Sequence, residues 1–380
     1  MPGDGADIDF IVIGAGIAGA SAAAELSLSA RVLLLEAESQ PGYHSTGRSA
    51  AMYVPAYGPP AIRALTRAAG PFFHDPPDGF AETPLLRRRD ILMIAREDQR
   101  DSTADFIADA GEDISLEMVG GDRLAELQPA LRPGYATHGV IDRSGSDIDV
   151  NALHRGFLRL LMARGGEVAT GRNVTALRRE AGVWHVSAGD AVFAAPVVIN
   201  AAGAWAEEIG RMAGAEEIGL VPKRRTALMI AAPPAIDSDS LPMTIDMDET
   251  FYLKPESGQF LVSPANEDPM PPCDVQPEEM DIAICLDRIG RAFDIPVSRP
   301  LSKWAGLRSF VADKTPVVGF SDLAAGFFWL AGQGGYGIQT SPALARVAAS
   351  LAQGAAIPSD IAAQGLSAAM LAPARLRSGM

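Results

Sequence analysis

The sequence predicts an α/β fold in two interleaved domains, and three features carry that prediction. An apolar run, residues 10–13, passes through Gly14, Gly16 and Gly19 into an Ala-rich stretch, and a second apolar run, residues 32–35, ends on Glu36. Apolar runs followed by small or glycine-rich residues return at 197–203 and 327–337. Between them lie mixed strand-like and helix-like segments. A chain that starts with strand–helix–strand, changes character and then returns to the first type builds one domain from separated segments around another.

The opening unit, residues 9–36, is the most explicit. Residues 10–13 are short and continuously apolar, as in a strand covered on both faces. The three glycines make G-x-G-x-x-G: the first permits a tight turn, the second lets backbone approach a pyrophosphate, and the third lets helix and strand pack closely. The helix, running to about Leu28, points its positive end at that phosphate. Glu36 tips the second strand, where a carboxylate accepts hydrogen bonds from both ribose hydroxyls and repels a 2′-phosphate. NAD and FAD remain open at this point, and NADP is disfavoured. Asp4, Asp7 and Asp9 before the run, the glycines inside it and Glu25 after it argue against a signal peptide or an integral membrane span.

Residues 37–60 read as a loop punctuated by Gly42, Gly47, Gly58 and prolines. It leaves the strand ends, where open α/β sheets bind ligands, so Ser45, Thr46, Arg48 and Ser49 are candidate phosphate or ring contacts. A helix follows over 61–74, then a turn into a strand over 85–95 around Arg87, Arg88, Arg89 and Asp90. Helical pieces are expected in the acidic stretch 97–128, a turn-rich segment over 142–149 and a helix over 151–164. Strands are read at 167–170, 173–177, 183–186, 191–193, 197–200, 221–230, 251–255 and 260–263. A Pro- and acid-rich loop over 264–281 leads to a helix over 282–293. The last strand, 327–331, a Gly-rich turn and a helix over 341–351 complete the chain.

With 380 residues there is enough chain for two cores. A net charge of −15 speaks against nucleic-acid partners and anionic membrane surfaces. Cys273 and Cys285 match no disulfide framework or zinc spacing, so a reducing cytoplasm is the expected location. The five histidines form no metal motif, and each, His44 included, reads as an unpaired surface or packing residue. No metal site is expected.

Taken together, residues 11–19, 42–49 (Gly-Tyr-His-Ser-Thr-Gly-Arg-Ser), 200–205 and 334–340 resemble the D-amino-acid oxidase superfamily of FAD enzymes, with bacterial D-arginine dehydrogenases as the nearest branch. The likeness covers nearly the whole chain. It implies a Rossmann-type FAD-binding domain from 1–85, 145–215 and 303–380, interleaved with an α+β substrate-binding domain from 86–144 and 216–302 built on a mixed sheet. It implies non-covalent FAD, held by Gly14, Gly16, Ile17, Ala18 and Gly19 at the pyrophosphate, Glu36 and Ala37 at the ribose, and Val174 at the adenine. Ser45, Thr46, Arg48, Ser49, Ala50 and Ala51 belong to the phosphates and flavin. Ala202, Gly203, Trp205, Arg308, Gly335, Tyr336, Gly337, Ile338, Gln339 and Thr340 complete the cofactor set.

The resemblance further implies oxidative deamination of a D-amino acid. Hydride passes from the substrate Cα to the flavin, and the imino acid hydrolyses to a 2-oxo acid and ammonia. Arg225 and Arg308 meet the substrate carboxylate, for which a planar, always-charged fork is suited. Tyr252 adds a hydroxyl, and Tyr57, in a Pro- and Gly-rich loop, reads as a lid that excludes water. In D-arginine dehydrogenases an acid recognises the distal guanidinium, but Ile91 stands at that position here, next to Asp90, and Met52 replaces a pocket histidine. Met52, Ile91, Met243, Ile245 and Gly335 therefore frame an apolar pocket that prefers neutral side chains over D-Arg. The alternatives are oxidation of secondary (N-methyl or cyclic) amino acids or 2-hydroxy acids, a flavin-binding protein without a substrate, and an NAD-dependent dehydrogenase. The electron acceptor, quinone-type or O2, is left open.

Overall fold

The computed structural model describes residues 8–110, 116–296 and 299–379. Asp4, Asp7 and residues 111–115 of the acidic stretch lie outside them. The opening unit forms as read: strand β1 (Phe10–Ile13), helix α1 (Ile17–Leu26) and strand β2 (Val32–Leu35). In parallel pairing, β1 lies between β2 and Val197–Asn200. Among the described residues the sheet order is Val317–Phe320, Phe327–Ala331, Val197–Asn200, β1, β2 and Glu167–Ala169, with Val317–Phe320 alone antiparallel.

The continuous apolarity of β1 and β2 follows from cover on both faces. Alternate side chains point to opposite sides. Phe10, Val12 and Leu34 pack among α1 and the helices Pro60–His74, Val150–Ala163 and Gly337–Ala352. Ile11, Ile13, Leu33 and Leu35 pack against the antiparallel strands Val174–Glu180, Val183–Ala188 and Ala191–Ala195 and the helix Ala206–Ala213. Each such side chain contributes roughly 1.5–3 kcal/mol of burial. Ala20, Ala22, Ala23 and Ala24 are fully buried, which explains the small residues of α1: it is enclosed rather than amphipathic.

A second, mixed sheet runs Asp268–Pro269, Val221–Ala231, Gln259–Ser263, Tyr252–Glu256, Met243–Asp246, Ile91–Ala95, His138–Asp142 and Leu116–Gly120, with Ser302–Phe310 pairing along Val221–Ala231. Among the described residues only Met243–Asp246 with Ile91–Ala95 is parallel in this sheet. Its period-2 alternation sorts the side chains. Leu92, Ile94, Ile141, Leu228, Leu253 and Val262 face one way and pack with Ile282, Cys285 and Ile289 of the helix Glu279–Ala292. Ile91, Met93, Ala227, Met243, Tyr252 and Leu261 face the other way, toward the first domain. A small sheet of Met52–Tyr53, Ser146–Ile148 and Leu86–Arg88 bridges the two.

Several local expectations change. The loop over 37–60 contains the short strand Met52–Tyr53, and the stretch 97–128 contains a strand, Leu116–Gly120, beside its helices Arg100–Ala110 and Gly121–Leu127. The turn-rich 142–149 segment ends one strand, His138–Asp142, and contains another, Ser146–Ile148. Residues 303–310, assigned from sequence to the FAD-binding segments, hydrogen-bond in the mixed sheet. Their pattern is masked because Gly306 breaks it and both faces carry partners. Both cysteines are free, Cys285 buried and Cys273 partly so. Among the described residues no cluster suits a metal ion, and no helix is long and apolar enough to cross a membrane.

Candidate active site

A cavity of about 610 Å³ opens at the C-terminal ends of the parallel strands and continues onto the inner face of the mixed sheet. Its volume is in the range of cofactor sites. The glycine loop forms one wall. Gly14 has φ +99°, and a Cβ there would stand 2.5 Å from Ala201 O. A Cβ on Gly19 would stand 1.8 Å from Gly14 O, so helix α1 can approach its own strand only through glycine. Glu36 is buried, with Oε2 accepting from Ala15 N at 2.8 Å and Oε1 from Glu38 N at 3.0 Å. Each oxygen keeps a lone pair for a further donor.

Thr46 completes the helix end. Gly16, the N-cap residue of α1, has no side chain to cap it, and Thr46 Oγ1 accepts from Ile17 N at 2.9 Å. Ser45 Oγ donates to Leu307 O at 2.6 Å and so ties the loop to the mixed sheet. Arg48 donates to Val275 O and Ala305 O and pairs with Asp274. Its charge therefore anchors the Pro-rich 264–281 loop as well as lining the cavity. His44 pairs with Glu38 and packs on Trp205, and so is a paired packing residue. On the turn after Phe327–Ala331, Gln333 also lines the cavity, and its Nε2 is buried with no hydrogen-bond partner among the described residues.

The mixed sheet supplies the other wall. In the register of Val221–Ala231 with Ser302–Phe310, Arg225 faces Gly306 and Lys223 faces Arg308. Arg225, Arg308 and Tyr252 therefore share one face and line the cavity. Arg225 donates to Asn266 O at 2.9 Å and to Glu267 at 3.1 Å. Burial pulls its pKa below the usual arginine value, and neighbouring Arg308 adds to the effect. Arg308 has no hydrogen-bond or ion-pair partner among the described residues. Gly335 lies against it: a Cβ there would meet Nη1 at 2.9 Å. Two cations on one partly enclosed wall, one of them unpaired, form a site for an anion.

Other expected residues stand just outside the cavity wall. Gly19, Ala51, Tyr336, Gln339 and Thr340 support the lining from behind: Gln339 accepts from Val54 N, and Thr340 donates to Tyr336 O. Tyr57 donates to Glu249 at 2.7 Å and packs 5.6 Å from the Tyr336 ring. Burial, then Glu249, raises its hydroxyl well above the usual value of 10.0. Met52, Ile91 and Ile245 join one apolar cluster with Tyr57, and Met52 and Ile245 also join Met243 and Tyr252. Asp90 is held by Arg88 and Arg143. The remaining expected residues, Gly14, Gly16, Ile17, Ala18, Glu36, Ala37, Ser45, Thr46, Arg48, Ser49, Ala50, Val174, Ala202, Gly203, Trp205, Gly337 and Ile338, all line the cavity. Arg172, Asn173, Glu208, Leu307, Ser309 and Gln333 line it without having been read from sequence. Of these only Gln333, inside the Gly-rich turn, carried a local signal.

The sequence profile of the DAO family, described as FAD dependent oxidoreductase, matches residues 9–351. Among curated relatives, hydrogen cyanide synthase subunit HcnC of Pseudomonas aeruginosa is 26% identical over 287 residues, 73% of this chain and 66% of that protein. The chain thus spans just under two thirds of that relative, and 34% and 17% of the length of two others. Of solved structures, glycine oxidase from Geobacillus kaustophilus superposes with TM-score 0.81 at 20% identity, covering 92% of this chain and 95% of that one. L-Proline dehydrogenase from P. horikoshii superposes with TM-score 0.80 at 18% identity, covering 98% of both chains. At these identities the structural likeness carries the fold.

Proposed function

The chain belongs to the DAO family of FAD-dependent oxidoreductases, and from that premise we propose that it deaminates D-amino acids oxidatively, preferring neutral, apolar side chains over D-Arg. The site suits FAD. Gly14 and Gly19 let the loop and helix backbone close up where a Cβ would clash, Gly16 leaves the helix end bare of side chain, Glu36 holds free lone pairs, and the orphaned Gln333 Nε2 awaits an acceptor. When bound, FAD supplies the two-electron acceptor for the hydride that leaves the substrate Cα.

In this reading the chain's own residues bind, orient and exclude water. Arg308 holds the substrate carboxylate, Arg225 reinforces it, and Tyr252 donates its hydroxyl to the same group. Tyr57 closes over the substrate. The side chain lies against Met52, Ile91, Met243 and Ile245, with Gly335 leaving space beside Arg308. No side chain is assigned as a base, so the amine loses its proton to solvent. The carrying observation is the unpaired Arg308 guanidinium on the same sheet face as Arg225, Tyr252 and the apolar wall. The nearness to D-arginine dehydrogenases is part of the proposal and stops at Ile91, since Asp90 is already occupied by Arg88 and Arg143. The two free cysteines accord with a cytoplasmic location.

One observation favours a second reading, oxidation of secondary amino acids or 2-hydroxy acids. The cavity's lining acids among the described residues, Glu36, Glu38 and Glu208, stand on none of the mixed-sheet strands, and Glu267 and Glu249 are already engaged by Arg225 and Tyr57, so no free carboxylate there selects a primary ammonium. Anaerobic mixing with D- and L-amino acids, N-methyl and cyclic amino acids and 2-hydroxy acids, followed through the visible flavin band, separates the readings. Bleaching by D-Leu, D-Met or D-Phe supports the first reading, and efficient turnover of D-Arg or D-Lys well above these defeats it. Admitting air then distinguishes an oxidase from an enzyme that needs a quinone-type acceptor.

A further inference from the structure

Of the three consecutive arginines 87–89, Arg87 and Arg88 are exposed, but Arg89 is buried. Its Nε donates to Asp147 Oδ2 at 2.6 Å, and its Nη1 to Leu241 O at 2.7 Å and Asp239 O at 3.2 Å. The other oxygen, Asp147 Oδ1, lies 3.2 Å from the ammonium of Lys254, itself buried, without hydrogen-bond geometry. Lys254 also donates to Glu256 at 2.7 Å. None of Arg89, Asp147, Lys254 and Glu256 lines the cavity, and the network has no part in the chemistry proposed above.

Its members are distributed in a particular way. Asp147 pairs directly across from Met52, so the two side chains share a face. Arg89 stands two residues before Ile91. Leu241, whose carbonyl it holds, stands two residues before Met243. Lys254 lies two residues beyond Tyr252, on the same face of its strand. The walls named for the substrate pocket thus come from separate strands, and one carboxylate ties all of them together.

We propose that Asp147 is a positioning residue that sets the width of the substrate side-chain pocket. Through Arg89 it fixes the starts of the Ile91 and Met243 strands, through Lys254 the Tyr252 strand, and through its own strand Met52. A carboxylate between two buried cations favours one geometry: moving the Arg89 segment strips Arg89 of its carboxylate partner, and moving the Lys254 strand leaves Lys254 with Glu256 alone. The inference rests on the reading that these walls face the substrate.

The test uses Asp147→Asn, which keeps the shape and removes the charge, and Lys254→Met, which keeps the stem. Wild-type and variant holoenzymes are titrated with straight-chain carboxylates from acetate to hexanoate, followed by perturbation of the flavin spectrum, alongside Tm and FAD content. The expected result is a change of at least fivefold in the hexanoate-to-acetate affinity ratio, with FAD content unchanged. An unchanged ratio overturns the proposal. So does an equal loss for all chain lengths with a lower Tm, which is what a merely structural role predicts. If Asp147→Asn gives no folded holoenzyme, the ratio in Lys254→Met decides. Carboxylate binding does not depend on turnover, so failure of D-amino acids to bleach the flavin defeats the functional reading and leaves this measurement intact.

Discussion

The three glycines of the opening loop are separable by substitution, because each is required for a different reason. A Cβ at Gly19 would lie 1.8 Å from Gly14 O, roughly 1 Å inside any tolerated contact, and its neighbour is backbone that cannot rotate away. Helix α1 must retreat, and overpacking of this kind costs about 1–3 kcal/mol or more. At Gly14 the left-handed φ of +99° adds about 1–2 kcal/mol to a clash of 2.5 Å with Ala201 O. Gly16 differs. Its φ of −70° suits any residue, and a Cβ meets only Thr46 Oγ1 at 3.2 Å. The fold then loses at most the Thr46 cap on Ile17 N, about 1 kcal/mol. At roughly 2–4 °C per kcal/mol, apo Gly16→Ala should melt within a few degrees of wild type, while Gly14→Ala and Gly19→Ala fall clearly further. All three should retain less FAD, Gly16→Ala because its new methyl occupies the approach to the pyrophosphate. The assays are thermal melting of apoprotein and FAD content after reconstitution. An apo Gly16→Ala as unstable as Gly19→Ala, or a Gly19→Ala with normal Tm and full FAD, would refute the division of roles.

Arg308→Met removes the unpaired cation and should lower kcat/KM by about two to three orders of magnitude, the worth of one or two charge-assisted hydrogen bonds, with the flavin spectrum kept; a loss under fivefold on steady-state assay counts against the carboxylate role. Ile91→Glu should raise the D-Arg to D-Leu ratio of kcat/KM at least about tenfold, while an unpaired buried charge lowers Tm; an unmoved ratio places Ile91 outside the substrate's reach. Burial holds His154 below its usual 6.5, opposed by its hydrogen bond to Ala15 O. The unfolded chain takes up that proton first, so the stability it contributes is complete above 6.5 and is lost as pH falls toward the folded-state pKa. His154→Gln, which can still donate to Ala15 O, should flatten the fall in Tm between about pH 7 and pH 5; an unaltered slope removes His154 as its source. With its hydroxyl raised by burial and Glu249, Tyr57 should stay protonated to beyond about pH 10. Tyr57→Phe should then leave the alkaline limb of the pH–rate profile in place and raise KM several-fold.

The readable parts of this protein are those whose physics is local. Phe10–Ile13, the glycine spacing and Glu36 state a nucleotide site within 27 residues, because turn, helix end and strand tip are all set by near neighbours. The strand Ser302–Phe310 was not legible, since Gly306 interrupts its pattern and its partner lies some 80 residues away. The same holds for Leu116–Gly120 and His138–Asp142, whose apolar faces have meaning only once the mixed sheet exists. Arg308 could be named by resemblance, but its lack of a partner, and the fate of Asp90, are facts of packing. Arg48 was expected at the phosphates, yet the structure turns its guanidinium also to Asp274 and two carbonyls, which no spacing in the loop announces.

By itself, then, the sequence determined the α/β class, a dinucleotide site and the apolar character of residues 91, 243 and 245, all consequences of composition and short-range geometry, while FAD over NAD came from the resemblance of whole motifs. Only the tertiary structure decided which arginine is free to hold an anion, that Arg89, Asp147 and Lys254 meet, and that Met52, Ile91, Met243 and Tyr252 come together at one place. Register between distant strands settles these matters. A single residue of slip would turn Arg225 and Tyr252 to the opposite face, and nothing local to either strand encodes that choice.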